Sequence, residues 1–98
     1  MANIVMVLSF KLRADVSAPD FLQASDKIQE DYLSKCKGYV SRTLFVDGEV
    51  WTDLVIWETM EDAEKAMMGS PKNQSAVEFS ELIGEMVKEV VVSAERNY

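Results

Sequence analysis

The stretch that decides the fold is Gly38-Tyr39-Val40-Ser41-Arg42-Thr43-Leu44-Phe45-Val46-Asp47-Gly48-Glu49-Val50-Trp51-Thr52-Asp53-Leu54-Val55-Ile56-Trp57. Two runs rich in β-branched and aromatic residues flank Asp47-Gly48, a pair suited to the positive φ angles of a type I′ hairpin turn. With those two as the turn, Val46 faces Glu49, Leu44 faces Trp51, Arg42 faces Asp53 and Val40 faces Val55. Alternation then puts Val40, Arg42, Leu44, Trp51, Asp53, Val55 and Trp57 on one face of the hairpin. Tyr39, Ser41, Thr43, Phe45, Val50, Thr52, Leu54 and Ile56 take the other. A one-residue slip would separate Arg42 from Asp53, so the opposed charges support the register.

Working outward, residues 3 to 13 read as a strand in which Ile4, Met6, Leu8, Phe10 and Leu12 form an apolar face. Ser17 is placed as a helix N-cap, with Pro19 and Asp20 suited to the first turn. Phe21, Ala24, Ser25, Ile28 and Tyr32 follow at helical spacing, with Leu22, Leu33 and Cys36 widening the stripe. That spacing predicts a helix from about Ala18 to Lys37, closed by Gly38 in the left-handed region. Beyond the hairpin, Thr59 with Asp62 three residues on marks a second helix start. Gly69-Ser70-Pro71 interrupts it, predicting two segments, about Met60 to Met68 and about Pro71 to Ile83, with Ser70 as the second cap. Glu85 to Arg96, with Val87, Val90, Val91 and Val92, favours a closing strand.

The order strand, helix, strand, strand, helix, strand predicts a ferredoxin-like βαββαβ domain of the α+β class over residues 1–98. Its helices pack on one face of a four-stranded antiparallel sheet, and right-handed crossovers put the first strand between the third and fourth. On this reading the face with Leu44, Trp51, Val55 and Trp57 is the one the helices leave bare. Burying such a face is worth about 25 cal/mol per Å². A second copy across a two-fold axis would cover it, so a homodimer is expected.

Composition removes several functions. The chain has 98 residues, 48% of them hydrophobic, with 10 basic against 17 acidic residues and a net charge of −7. That balance argues against binding a nucleic-acid backbone. No apolar run approaches the roughly 20 residues needed to span a bilayer, and the start lacks the basic flank of a signal peptide. The single cysteine, Cys36, forms no internal disulfide and fits a reducing cytoplasm. With no histidine in the chain, imidazole triads, His-ligated metals and a proximal His to haem are excluded. No metal-ligand spacing emerges from Glu58, Glu61, Asp62 and Glu64, which crowd a helix start and compensate its dipole. Neither a cofactor nor a metal is expected.

These residues resemble the dimeric α+β barrel superfamily, and within it the antibiotic-biosynthesis monooxygenase (ABM) type of domain. The resemblance rests on Gly38 to Arg42 opening the second strand and on Leu54-Val55-Ile56-Trp57-Glu58-Thr59 followed by Asp62-Ala63. The Ser70-Pro71 break also fits. It implies a pocket between helices and sheet or at the sheet's concave face. It further implies one of several activities: cofactor-independent oxygenation of reduced polycyclic aromatics, haem degradation, isomerisation or no reaction. Trp57 falls where such pockets hold a tryptophan. The haem-binding histidine falls near Ala76 or Val77 and a strand-one asparagine near Leu8, so the match to haem degraders fails at both places.

The candidate site is therefore Arg42 and Asp53 as the chemical groups, with Trp51, Trp57, Leu44 and Val55 as the surface that binds a small aromatic molecule. Arg42 would stabilise an enolate or phenolate, oriented by Asp53. The plainer reading makes the pair a cross-strand ion pair and the indoles packing residues. Two functions follow: a cofactor-independent monooxygenase acting on an aromatic or quinol-type substrate, or a non-catalytic ligand-binding or assembly module of the same fold.

Overall fold

A computed structural model describes residues 3–98; Met1 and Ala2, where a leader would begin, lie outside the described residues. The strands are β1 (Ile4–Leu12), β2 (Tyr39–Asp47), β3 (Val50–Trp57) and β4 (Ile83–Ser93), and the helices are α1 (Ala18–Asp31), α2 (Met60–Gly69) and α3 (Gln74–Glu81). The sheet order is β2-β3-β1-β4, all neighbours antiparallel, as the crossover rule requires.

The caps explain where the helices start. The Ser17 hydroxyl accepts from the Asp20 N–H at 3.2 Å, and the Thr59 hydroxyl accepts from the Asp62 N–H at 3.1 Å. The expected second cap at Ser70 is displaced. Ser70–Lys72 form a 3-10 turn, and the Asn73 carbonyl oxygen caps α3 by accepting from the Ala76 N–H at 3.0 Å. α1 also ends earlier than its spacing suggests, at Asp31, and Leu33–Lys35 continue as a 3-10 turn. Gly38 then takes φ +82°, and a Cβ there would lie 2.2 Å from Asp62 Oδ2. The close approach of this bend to α2 therefore needs glycine.

The hairpin turn differs from expectation by two residues of register. Asp47 pairs with Val50, so Gly48 and Glu49 form the turn, Leu44 faces Asp53, and Arg42 faces Val55. Gly48 alone takes a positive φ, +61°, the pattern of a type II′ turn, which spares Asp47 the left-handed region. A shift of two keeps the faces, and Arg42 meets Asp53 on the diagonal instead. An irregularity between Tyr39 and Ser41 swings Tyr39 onto the Trp57 side. β4 begins at Ile83, inside the span expected to be helical, and Leu22 is exposed.

The assignment of faces is reversed. The face with Leu44, Trp51, Val55 and Trp57 packs beneath the chain's own helices, together with Ile4, Met6, Leu8 and Phe10 of β1. Trp57 is 1% exposed and Val55 3%. At one end Phe10, Phe21, Phe79 and Trp51 form an aromatic cluster with ring centroids 4.9–6.3 Å apart. At the other, Tyr39 meets Trp57 edge-on at 6.0 Å. The bare face is the opposite one, where Val5 lies beside Ile56 and Val92, and Val7 beside Leu54 and Val90.

Candidate functional site

Between the two aromatic groups the helices contribute small side chains. Ala66 of α2 and Ala76 of α3 stand above Met6 and Leu8 of β1, and a cavity of about 230 Å³ remains between helices and sheet. Val55, Phe79, Ile28 and Ile83 make most of the remaining wall apolar, with Met67 and Met86 at exposed positions on its rim. Among the lining residues Asp53 is the one with a charged side chain.

Asp53 is held from behind by Arg42. Arg42 Nε donates to Asp53 Oδ1 at 2.9 Å and Nη2 to Oδ2 at 3.0 Å, with the two side chains 6% and 5% exposed. Nη1 donates to the Ser25 carbonyl at 3.2 Å and reaches Gln29 Oε1 at 3.5 Å, while the guanidinium carbon lies 5.5 Å from the centre of the Phe79 ring. A charge this deep is tolerated only when paired and bonded in this way.

The second polar feature is an absence of pairing. Trp57 lies on the cavity wall, and its indole Nε1–H is buried with no hydrogen-bond partner among the described residues. Buried donors are nearly always paired, and this one, without accessible surface, is an exception. Tyr32, also on the wall, donates its hydroxyl to the Ala66 carbonyl. Burial, reinforced by the neighbouring Cys36, pushes its phenol up to about 12. Tyr32 therefore stays protonated at neutral pH. Burial likewise raises the Cys36 thiol, so the flanking lysines do not make it reactive.

Of the six residues singled out from sequence, Asp53, Val55 and Trp57 line the cavity. Arg42 stands behind Asp53 with its N–H groups turned to Asp53, Ser25 and Gln29 and is not a lining residue, so direct contact with a bound enolate is not what this geometry offers. Trp51 packs on Phe21 and borders a separate shallow cleft with Lys11 and Arg13, and Leu44 is a core neighbour outside the cavity. Met6, Met67, Ser70, Phe79, Ser80 and Met86 were missed. The alternation of β1 carried the signal for Met6. The rest depend on how α2, the 3-10 turn, α3 and β4 come together, which no local pattern states. Leu8 and Ala76, the two positions at which the resemblance to haem degraders fails, both line the cavity. Among the described residues no group of three or more Cys, Asp or Glu is placed to hold a metal ion, and no helix is long and apolar enough to cross a membrane.

The βαββαβ order with helices on one face of a four-stranded antiparallel sheet is the fold that solved structures of the antibiotic biosynthesis monooxygenase (ABM) type share with this chain. SnoaB, a cofactor-independent oxygenase from Streptomyces nogalater, superposes with a TM-score of 0.81 over 99% of this chain and 97% of its own, at 12% identity. A Bordetella bronchiseptica protein assigned to the antibiotic biosynthesis monooxygenases gives 0.77 over 100% of both chains, at 16% identity. The monooxygenase of ActVA-Orf6 from Streptomyces coelicolor, solved in complex with nanaomycin D, gives 0.70 over 99% of this chain and 91% of its own, at 13% identity. No family profile and no curated protein sequence matches the chain. At these identities the likeness is one of fold.

Proposed function

We propose that the cavity binds a small, flat, largely apolar molecule and that the protein is a cofactor-independent monooxygenase for an anthrone- or quinol-type substrate. The observation that carries this reading is a mostly apolar cavity between helices and sheet, lined by Trp57, whose indole N–H is unpaired, and by Asp53, its one charged lining residue. A substrate with an acidic hydrogen toward Asp53 and a carbonyl toward Trp57 satisfies both. Asp53 accepts the proton, and the Trp57 N–H bonds to the oxygen on which negative charge gathers. The electron-rich carbon then reduces dioxygen directly. For an anthrone the CH₂ carbon becomes C=O, one oxygen atom enters the product, and the other leaves as water. The substrate carbon supplies all four electrons. The apolar wall keeps water from the anion, and Tyr32, held protonated, does not compete as a base. The family resemblance and the superpositions on oxygenases support the same chemistry.

The bare sheet face supports a homodimer, formed on the side opposite to the one expected from the hairpin. Val5, Val7, Leu54, Ile56, Val90 and Val92 would be covered there by the same residues of a second copy.

Oxygen uptake with a panel of anthrones and reduced quinones tests the activity. The expected result is one O₂ consumed per substrate, with Trp57→Phe slowing uptake about tenfold through loss of one buried hydrogen bond. Uptake no faster than in protein-free buffer across the panel would leave the second reading, binding without turnover. The full engagement of Arg42 favours that second reading, since its N–H groups are turned to Asp53, Ser25 and Gln29 rather than to a ligand.

A further inference from the structure

The six methionines of the chain differ sharply in how they meet the cavity. Met6, Met67 and Met86 all line it. Met6 lies on β1 beneath the helices and is 6% exposed, whereas Met67 on α2 is 38% exposed and Met86 on β4 is 45% exposed. The fold accounts for the difference. Ala63 and Ala66 are the buried alanines of α2, and Met67 comes next in the chain, at the border of that stripe. Met86 pairs with Phe10, but β4 is an edge strand, and its register slips there so that Val87 has no partner in β1. One thioether from a helix and one from the sheet edge therefore stand at the rim of a mostly apolar chamber, within reach of solutes outside and of any molecule that enters.

We propose that Met67 and Met86 are sites of reversible oxidation by hydroperoxides, and that their sulfoxides hinder flat apolar molecules from entering the cavity. The thioether sulfur attacks one oxygen of hydrogen peroxide. An S–O bond forms, the O–O bond breaks, and the sulfur gives up two electrons. The transferred oxygen yields its proton to the departing hydroxide, which leaves as water. The product replaces a flexible apolar side chain with a polar, chiral S=O group. Such an oxygen holds water at the rim, and an incoming aromatic ring must strip that water while losing the favourable contact that a thioether offers it. The other sulfur atoms near the site are placed differently. Met68 is 75% exposed but does not line the cavity, and Cys36 borders a separate cleft with Lys37, Asp62 and Lys65. The proposal rests on the reading of the cavity as a ligand site, but not on turnover.

The test treats the protein with hydrogen peroxide until peptide mass spectrometry finds one added oxygen at Met67 and at Met86. Binding of 6-hydroxy-1-tetralone, a flat uncharged bicyclic ketone, is measured before and after. Met67, Met68 and Met86 are expected to oxidise ahead of Met6, and the Kd to rise about fivefold or more once both rim residues are sulfoxides. Methionine sulfoxide reductases of both stereospecificities are expected to restore the original Kd, which neither cysteine oxidation nor unfolding would allow. Met68→Leu is expected to leave the peroxide effect in place, and Met67→Leu with Met86→Leu to remove it, each protein being compared with itself before and after treatment. Binding that is unchanged with both sulfoxides formed overturns the proposal, as does a loss that persists in the double variant or oxidation of Met6 in step with the rim. The parent's own result decides the matter if a variant fails to fold. Absence of binding by the untreated protein would overturn the cavity reading and this proposal together, whereas binding that survives oxidation overturns this proposal alone.

Discussion

Arg42 and Asp53 show how much one pair of residues determines here. The two side chains are nearly inaccessible, so removing one partner leaves a bare charge in an apolar setting. Arg42→Met is expected to lower unfolding free energy by about 3–5 kcal/mol in urea titration, and adding Asp53→Asn to recover much of that loss. A loss below about 1 kcal/mol would mean that the pair is solvated. Tyr32 gives a pH dependence with a definite sign. Its phenol titrates near 10 in the unfolded chain and about 12 in the fold, so the folded state holds the proton longer. Stability is expected to fall as pH rises from about 10 toward 12, and Tyr32→Phe to remove that alkaline component of the denaturation profile. Sequence reading found the Arg42–Asp53 pair because a register shift of two keeps both side chains on one face, where they meet on the diagonal. It did not show how fully Arg42 is engaged, since Ser25 and Gln29 come from a helix whose placement the hairpin does not reveal.

At the scale of elements, the caps at Ser17 and Thr59 were legible, because each is a local interaction between residues three apart, and the bend at Gly38 was legible from glycine's tolerance of the left-handed region. Gly38→Ala is expected to cost more than about 2 kcal/mol, combining a left-handed backbone with a Cβ 2.2 Å from Asp62 Oδ2. The break between α2 and α3 was legible, but the identity of the second cap was not. Both Ser70 and Asn73 are competent caps, and Ser70 is drawn into the 3-10 turn, where its hydroxyl donates to the Met67 carbonyl at 3.0 Å. Asn73→Ala is expected to destabilise by about 1 kcal/mol and Ser70→Ala by less, measured by thermal unfolding. The cavity itself belongs to this scale, because it exists where α2 and α3 offer alanine to the sheet. Ala76→Leu is expected to fill it, leaving the melting temperature unchanged or higher while abolishing binding of 6-hydroxy-1-tetralone. Retained binding would place the ligand elsewhere.

For the whole molecule, alternation sorted the hairpin residues into two sets correctly, with Tyr39 and Val40 exchanged by the irregularity beside them. What it could not say was which set the helices cover. Both sets carry large apolar residues, so the hydrophobic pattern of the hairpin does not by itself say which one the helices cover. The ion pair is internal because its charges satisfy each other, while the opposite face joins Ser9 to Thr52 at 2.9 Å amid valines, Leu54 and Ile56. Pairing of two 11.1 kDa chains through that face predicts a dimer by light scattering at micromolar concentration, and Leu54→Glu is expected to yield monomer. The central claim is that the mostly apolar cavity lined by Asp53 and Trp57 holds one small, flat molecule, and a crystal structure grown with 6-hydroxy-1-tetralone tests it most directly. The account predicts the ligand between β3 and the helices, its hydroxyl within hydrogen-bonding distance of the Asp53 carboxylate and its ketone on the Trp57 indole nitrogen. A cavity without the ligand, or a ligand seated with neither contact, would contradict it.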